Sequence, residues 1–179
     1  MVSDEILMQD VGAGSVIAFQ TLYDRHHRVV FNFLLHSLGN HSAAEDLLQE
    51  TFLRVFVHRH DYRPSAPFRT WLFTIARNLL IDRLRRVGTH PEYPDDEKLQ
   101  EVADPSPSPL AELEGRALEE RLQRAVTRLP PFQREVLLLS RFAGLSHEEI
   151  AQVTAASLGA VRVALHRGLR RLHNFLGTL

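Results

Sequence analysis

The chain has 179 residues, of which 44% are hydrophobic and none is cysteine. That length suits one ordinary domain or two small ones, no apolar run approaches the roughly 20 residues of a membrane span, and disulfides and thiolate metal sites are excluded. The formal net charge of -1 conceals a segregation of basic and acidic blocks along the chain.

The first ten residues hold Asp4, Glu5 and Asp10 and no basic side chain, unlike a secretory signal. Phe19, Leu22, Tyr23, Val30, Phe33, Leu34 and Leu38 then mark a long amphipathic helix, closed by Gly39-Asn40. Ser42 with Glu45 is expected to form a capping box for a second helix, whose apolar stripe is Leu47, Leu48, Phe52, Val55 and Phe56. A loop with Pro64 and Pro67 precedes a third helix from about Phe68 to Arg86, with Trp71, Leu72, Ile75, Ala76, Leu79 and Leu84 inward. From Arg54 to Arg86 there are eight arginines against Asp61 and Asp82. From Val87 to Gly115 the balance reverses, with eight carboxylates against Lys98. This acidic stretch contains Pro91, Pro94, Pro105, Pro107 and Pro109 and reads as an extended linker. Two basic blocks on an acidic connector point either to two polyanion-binding modules or to solvated helix faces on a polar linker.

After the linker, Leu113 to Leu129 reads as helix. Pro130-Pro131 breaks it and starts the next, through Val136, Leu137 and Phe142, which Gly144 stops. Ser146 with Glu149 forms a second capping box, and Ser157 is expected to cap the last helix. The fold class is all-α.

Ser146 to Arg171 fits a helix-turn-helix. Ala151 is small where two helices cross, the turn follows at Ala155, and apolar Val161 follows that. Leu158, Val161, Leu165 and Leu169 are expected to face the core, with Arg162, His166, Arg167 and Arg170 opposite. Arginine suits guanine edges and phosphates. An ordinary helical hairpin with a basic solvent face is the bland alternative. In the first module, Ala44 to Phe56 sets Asp46, Gln49, Glu50 and Arg54 beside a wide apolar stripe. Such a face suits docking on partner helices, or simple core packing with a polar back. Arg59 to Arg86 interleaves Tyr62, Phe68, Trp71 and Phe73 with arginines, a composition that suits single-stranded nucleic acid as well as a core. Asn78 is expected near the buried face, where its amide needs a partner: a flipped base or a helix-cap carbonyl.

Together these segments resemble the extracytoplasmic-function (ECF) sigma factors of the sigma-70 superfamily. The resemblance rests on FQTLYDRHHRVVFNFLL, AEDLLQETFLRVF, FRTWLFTIARNLLIDRLRR and LPPFQREVLLLSRFAGLSHEEIAQV, in family order, with a Pro-rich linker between the second pair. It implies a core-binding and −10 domain over 1–87, a linker over 88–110 and a −35 domain over 111–179. It implies docking on the clamp helices of the largest polymerase subunit through Asp46, Leu47, Gln49, Glu50, Phe52 and Leu53. It implies −10 reading by Arg59, Tyr62, Arg63, Arg69, Arg77, Asn78, Arg83 and Arg86, with Asn78 at the flipped-base pocket. It implies −35 reading in the major groove by Ser157, Arg162, Val163, His166, Arg167 and Arg170. The implied partners are core RNA polymerase at its clamp helices and flap, duplex and single-stranded promoter DNA, and an anti-sigma factor. A monomer when free, a cytoplasmic location, no membrane insertion, no cofactor and no C-terminal sensory domain complete the expectation.

One segment departs from the family pattern. Where the family shows Gly-Thr-Val-Lys-Ser-Arg, Gly159 to Ala164 reads Gly-Ala-Val-Arg-Val-Ala, which implies fewer hydrogen bonds to the −35 element. Two rival functions remain at this point. A stand-alone helix-turn-helix regulator needs no docking helix like Ala44 to Phe56. An enzyme is prompted only by ten histidines. His26-His27 and His58-x-His60 join no carboxylate in a metal pattern, and His147-Glu148-Glu149 lacks the second histidine of a zincin. No catalytic or metal-ligating residue is assigned.

Overall fold

The computed structural model describes residues 2–64, 66–86, 88 and 121–177. The expected linker falls outside them, Gly88 apart. So does the start of the helix expected over Leu113 to Leu129, of which residues 121–127 are helical. Among the described residues all regular structure is helical.

Helix α1, Asp4–Gly12, was not anticipated. Ser3 Oγ caps it by accepting the Ile6 N–H at 3.4 Å, and Asp4 and Glu5 sit in its first turn, where carboxylates suit the helix dipole. Helix α2, Val16–Leu38, starts three residues before the expected Phe19, because Ser15 caps it through the Ala18 N–H. It ends as expected at Gly39, whose φ of 65° supplies the left-handed cap. Helix α3, His41–Val57, corrects the expected capping box. Asn40 is the cap, accepting the Ala43 N–H at 2.9 Å, and Ser42 lies inside the helix. Helix α4 runs from Phe68 to Arg86, at the expected bounds.

These four helices share one core. Leu22, Val30, Phe33, Leu34, Val55, Phe68, Leu72, Phe73 and Ala76 are fully enclosed, and Phe33 and Phe73 meet edge to face at 5.6 Å. Truncating either ring to alanine costs about 3–5 kcal/mol. Phe73 and Leu80, which were not among the residues expected inward, complete the buried face of α4, with Trp71, Ile75, Leu79 and Leu84 packed against the core at its edge.

The second domain contains α5, Pro131–Arg141, α6, His147–Thr154, and α7, Leu158–Gly177. Pro131 occupies the first turn of α5 as expected. The Ser146–Glu149 capping box is present in both directions, at 3.1 and 2.7 Å. Ser157 Oγ accepts the Ala160 N–H at 3.2 Å and caps α7. Between α6 and α7 the chain turns through Ala155 at φ 54°, the one non-glycine residue with positive φ among those described.

The inward line of α7 is Val161, Ala164 and Gly168, at i, i+3 and i+7. Leu169 was expected inward but is half exposed. The small residues allow a close crossing: a Cβ on Gly168 would stand 3.4 Å from the backbone oxygen of Gln133 in α5.

Candidate polymerase and nucleic-acid interface

Helix α3 divides its two faces sharply. Leu47 and Phe52, expected on the docking face, are buried in the core. Asp46, Gln49 and Leu53 are exposed and Glu50 is half-buried, all at one-face helical spacing. Phe56 and Val57, which the sequence did not single out for docking, extend this stripe. Leu53 and Val57 are 55% and 56% exposed. Arg54 donates to Glu50 Oε1 at 2.8 Å and steadies the rim.

Of the two readings left open for the aromatics of Arg59 to Arg86, a stacking platform or a core, the rings lie in the core. Tyr62, Phe68 and Phe73 are buried and Trp71 is half-buried. Tyr62, Phe68 and Trp71 form an internal cluster with centroids 5.3–6.2 Å apart. The Tyr62 hydroxyl donates to Ala66 O at 2.8 Å across the loop. Burial, with Glu5 and Asp4 nearby, pushes its phenol up to about 12. The loop arginines stay near the surface: Arg59 stacks over Phe56 at 4.5 Å and Arg63, exposed, donates to His60 O at 3.0 Å.

Helix α4 presents two working faces. Ile75, Asn78, Leu79 and Asp82 line a cleft of about 150 Å³ with Arg54 and His58 of α3. Asn78 was expected near the buried face, but it is exposed at this cleft. The next residue back, Arg77, points elsewhere. Its guanidinium meets Glu135 of α5 in a two-pronged ion pair at 2.6 and 3.4 Å, with side chains 11% and 10% exposed. On the same side, the Thr70 hydroxyl donates to Glu149 of α6 at 3.4 Å. The Arg69 guanidinium lies 3.2 Å from where a Cβ on Gly144 would stand. His36 of α2 stacks on Phe142 at 4.4 Å and hydrogen-bonds Gln123. The two domains therefore pack directly together, and Arg69 and Arg77 face the second domain. Arg83 is half-buried and Arg86 exposed at the far end of α4.

On α7, Arg162, Val163, His166, Arg167 and Arg170 are all exposed on one face, and Ser157 is exposed ahead of them. Arg162 approaches Glu148 of α6 at 3.8 Å. Ala164, one of the departures from the family pattern, belongs to the buried line instead. No group of three or more metal-capable side chains exists among the described residues. Nor is any described helix long and apolar enough to cross a membrane.

Comparison with known proteins agrees with this layout. Residues 22–89 match the family described as Sigma-70 region 2, and residues 119–172 match Sigma-70, region 4. RNA polymerase sigma factor CarQ of Myxococcus xanthus is 37% identical over 166 residues, 93% of each chain. ECF RNA polymerase sigma factor SigW of Bacillus subtilis is 30% identical over 182 residues, 96% of each. SigE of Mycolicibacterium smegmatis is 35% identical over 89% of this chain, which spans 62% of SigE. The structure of CnrH in complex with the cytosolic domain of CnrY matches with a TM-score of 0.74 at 26% identity, covering 97% of both chains. The chain belongs to the ECF sigma factors of the sigma-70 family. It is an alternative sigma factor, a DNA-binding protein that joins core RNA polymerase and directs transcription initiation. The match to both sigma regions sets aside the stand-alone regulator.

Proposed function

We propose that the exposed stripe of α3 docks this sigma factor on the clamp helices of the largest polymerase subunit. Asp46, Gln49, Glu50 and Leu53 make the contact, extended by Phe56 and Val57, with Leu47 and Phe52 supporting from beneath. The observation that carries this is the run of half-exposed apolar side chains beside carboxylate and amide groups on one helix face. Surfaces of that kind mark protein interaction sites.

Domain 1–87 also takes melted −10 DNA. Arg59, Arg63, Arg83 and Arg86 hold phosphates, Tyr62 shapes the loop, and a flipped base enters the cleft beside Asn78. Domain 111–179 reads the −35 duplex with Ser157, Arg162, Val163, His166, Arg167 and Arg170, and contacts the polymerase flap. The segment 88–110 connects them.

The −10 and −35 elements lie about 25 base pairs apart, roughly 85 Å of duplex. A compact chain of this length has a radius of gyration of about 16 Å. The two domains therefore separate when both elements are held, releasing Arg69 and Arg77 to DNA. The chain acts in the cytoplasm as a monomer, without cofactor or catalysis. An anti-sigma factor masks its faces, as the cytosolic domain of CnrY is bound to CnrH.

Leu53→Asp tests the docking face. Leu53 is exposed, so the variant folds. It should lose at least about tenfold in affinity for core polymerase, as interface anchors do. Parental affinity for core would remove α3 from the interface.

A further inference from the structure

Helix α4 starts at Phe68 after Ala66-Pro67, a pair with no side-chain acceptor. Neither of these two residues can therefore cap the leading N–H groups of the helix, which need an acceptor. The acceptor comes from 63 residues earlier: the Phe68 N–H donates to Glu5 Oε1 at 3.2 Å. Glu5 belongs to α1, and α1 is pinned to α2 right beside it. Asp4 accepts from Arg25 Nη1 at 2.7 Å and from His26 Nε2 at 2.6 Å. Arg25 also donates to Val2 O at 2.9 Å. Leu7, Met8 and Val11 bury the inner face of α1.

The other end of α1 reaches the other end of the same loop. A Cβ on Gly12 would stand 3.8 Å from Arg59 O, where the loop leaves α3. One nine-residue helix thus touches both ends of the loop between α3 and α4. The buried Tyr62 ties the middle through its bond to Ala66 O. Helix α1 lies outside the segment that matches Sigma-70 region 2, which begins at residue 22.

We infer that α1 is a brace that sets the register of this loop and of the first turn of α4, with Glu5 as a positioning residue for −10 recognition. The inference rests on the reading of the loop and α4 as the −10 surface. The chemistry agrees. Backbone N–H donors, from Glu5 itself and from Phe68, hold the Glu5 carboxyl below its ordinary value, so it stays a charged acceptor at neutral pH. Burial pushes the Asp4 carboxyl up, but its bonds to Arg25 and His26 outweigh that and hold it low. Burial lowers His26, so it donates to Asp4 as a neutral ring.

The test uses the full chain with core polymerase, measuring core affinity, binding to a −35 duplex, melting temperature and the rate of open-complex formation. Glu5→Ala should slow opening about fivefold, the fold-change equivalent of one lost cap, with core and −35 affinity within about twofold of the parent. Glu5→Gln keeps an acceptor oxygen and should recover most of the rate. Adding Pro67→Ser to Glu5→Ala supplies a local cap. It should restore the melting temperature without restoring opening, because the tether between α1 and the loop is still missing. Full recovery of opening in that double variant would reduce Glu5 to an ordinary cap and overturn the inference. So would unchanged opening in Glu5→Ala, or equal losses of opening and core affinity. Asn78→Ala, run alongside, separates the two readings. If it slows opening and Glu5→Ala does not, the −10 surface stands and the brace falls. If Glu5→Ala slows opening and Asn78→Ala does not, the brace stands and the assignment of Asn78 falls.

Discussion

Helices α4 and α7 both carry rows of arginine, yet the protein holds them in opposite ways. On α7, Arg162, Arg167 and Arg170 face outward along a solvent-exposed face. On α4, Arg77 is enclosed against Glu135, and Arg69 lies against the second domain. The difference teaches that counting basic residues overstates what a polyanion meets in the compact state. The proposed −35 face is open there, whereas part of the proposed −10 face is covered by the second domain.

The largest effect should come from breaking the cover. With Glu135→Ala, Arg77 loses its carboxylate in an enclosed site. Removing one partner of a buried pair costs about 3–5 kcal/mol. The two domains have a way to avoid that cost, because separation returns the guanidinium to water. The expected outcome is an open chain: a larger radius of gyration by small-angle scattering, and tighter binding of single-stranded DNA at low salt. A radius equal to the parent's would show that other contacts, such as His36 on Phe142, hold the domains.

The open face should respond differently. Arg162 is 60% exposed and its approach to Glu148 at 3.8 Å is a surface contact worth little. Arg162→Ala should leave fold, compactness and core binding unchanged. Affinity for a −35 duplex should fall by about 1–3 kcal/mol if the residue reads a base, or lose about one unit of salt slope if it meets a phosphate. A titration at several salt concentrations separates those outcomes. No change in either quantity would take Arg162 off the DNA face.

The contrast also shows what the sequence could and could not tell. Helix ends marked by Gly39, Pro131, the Ser146–Glu149 box and Ser157 were legible because each is a local device. Helix α1 was passed over although Ser3 with Asp4 and Glu5 is a local start signal, because nine residues are too few for a periodicity to stand out, and its long-range contacts to α2 and α4 show only in the fold. Arg77 and Asn78 were grouped together because the family resemblance implies that both read the −10 element. On a helix, neighbours point about 100° apart, and only the packing of the second domain shows which of them it covers. Tyr62, Phe68 and Phe73 had the composition of a stacking platform, but three large rings in four small helices are needed for the core. Ala164 looked like a lost DNA contact. In the folded chain it belongs to the buried line Val161, Ala164 and Gly168, which faces the core rather than DNA.

Ala155 offers the smallest and cleanest effect, confined to the open side of the comparison. Its N–H bonds back to Gln152 O and that of Ala156 to Ala151 O, the paired bonds of a Schellman turn. That turn requires a left-handed residue, and a Cβ there costs about 1–2 kcal/mol. Glycine removes the strain but loses more freedom on folding, which returns roughly 0.5–1 kcal/mol. Ala155→Gly should therefore stabilise the second domain by up to about 1 kcal/mol, read as a raised denaturation midpoint for that domain alone. The proposed reading face of α7 starts after this turn, at Ser157. Affinity for the −35 duplex should stay the same if the turn geometry is already that of the bound state. A gain in stability accompanied by weaker −35 binding would mean that the strained alanine sets the angle at which α7 meets the groove.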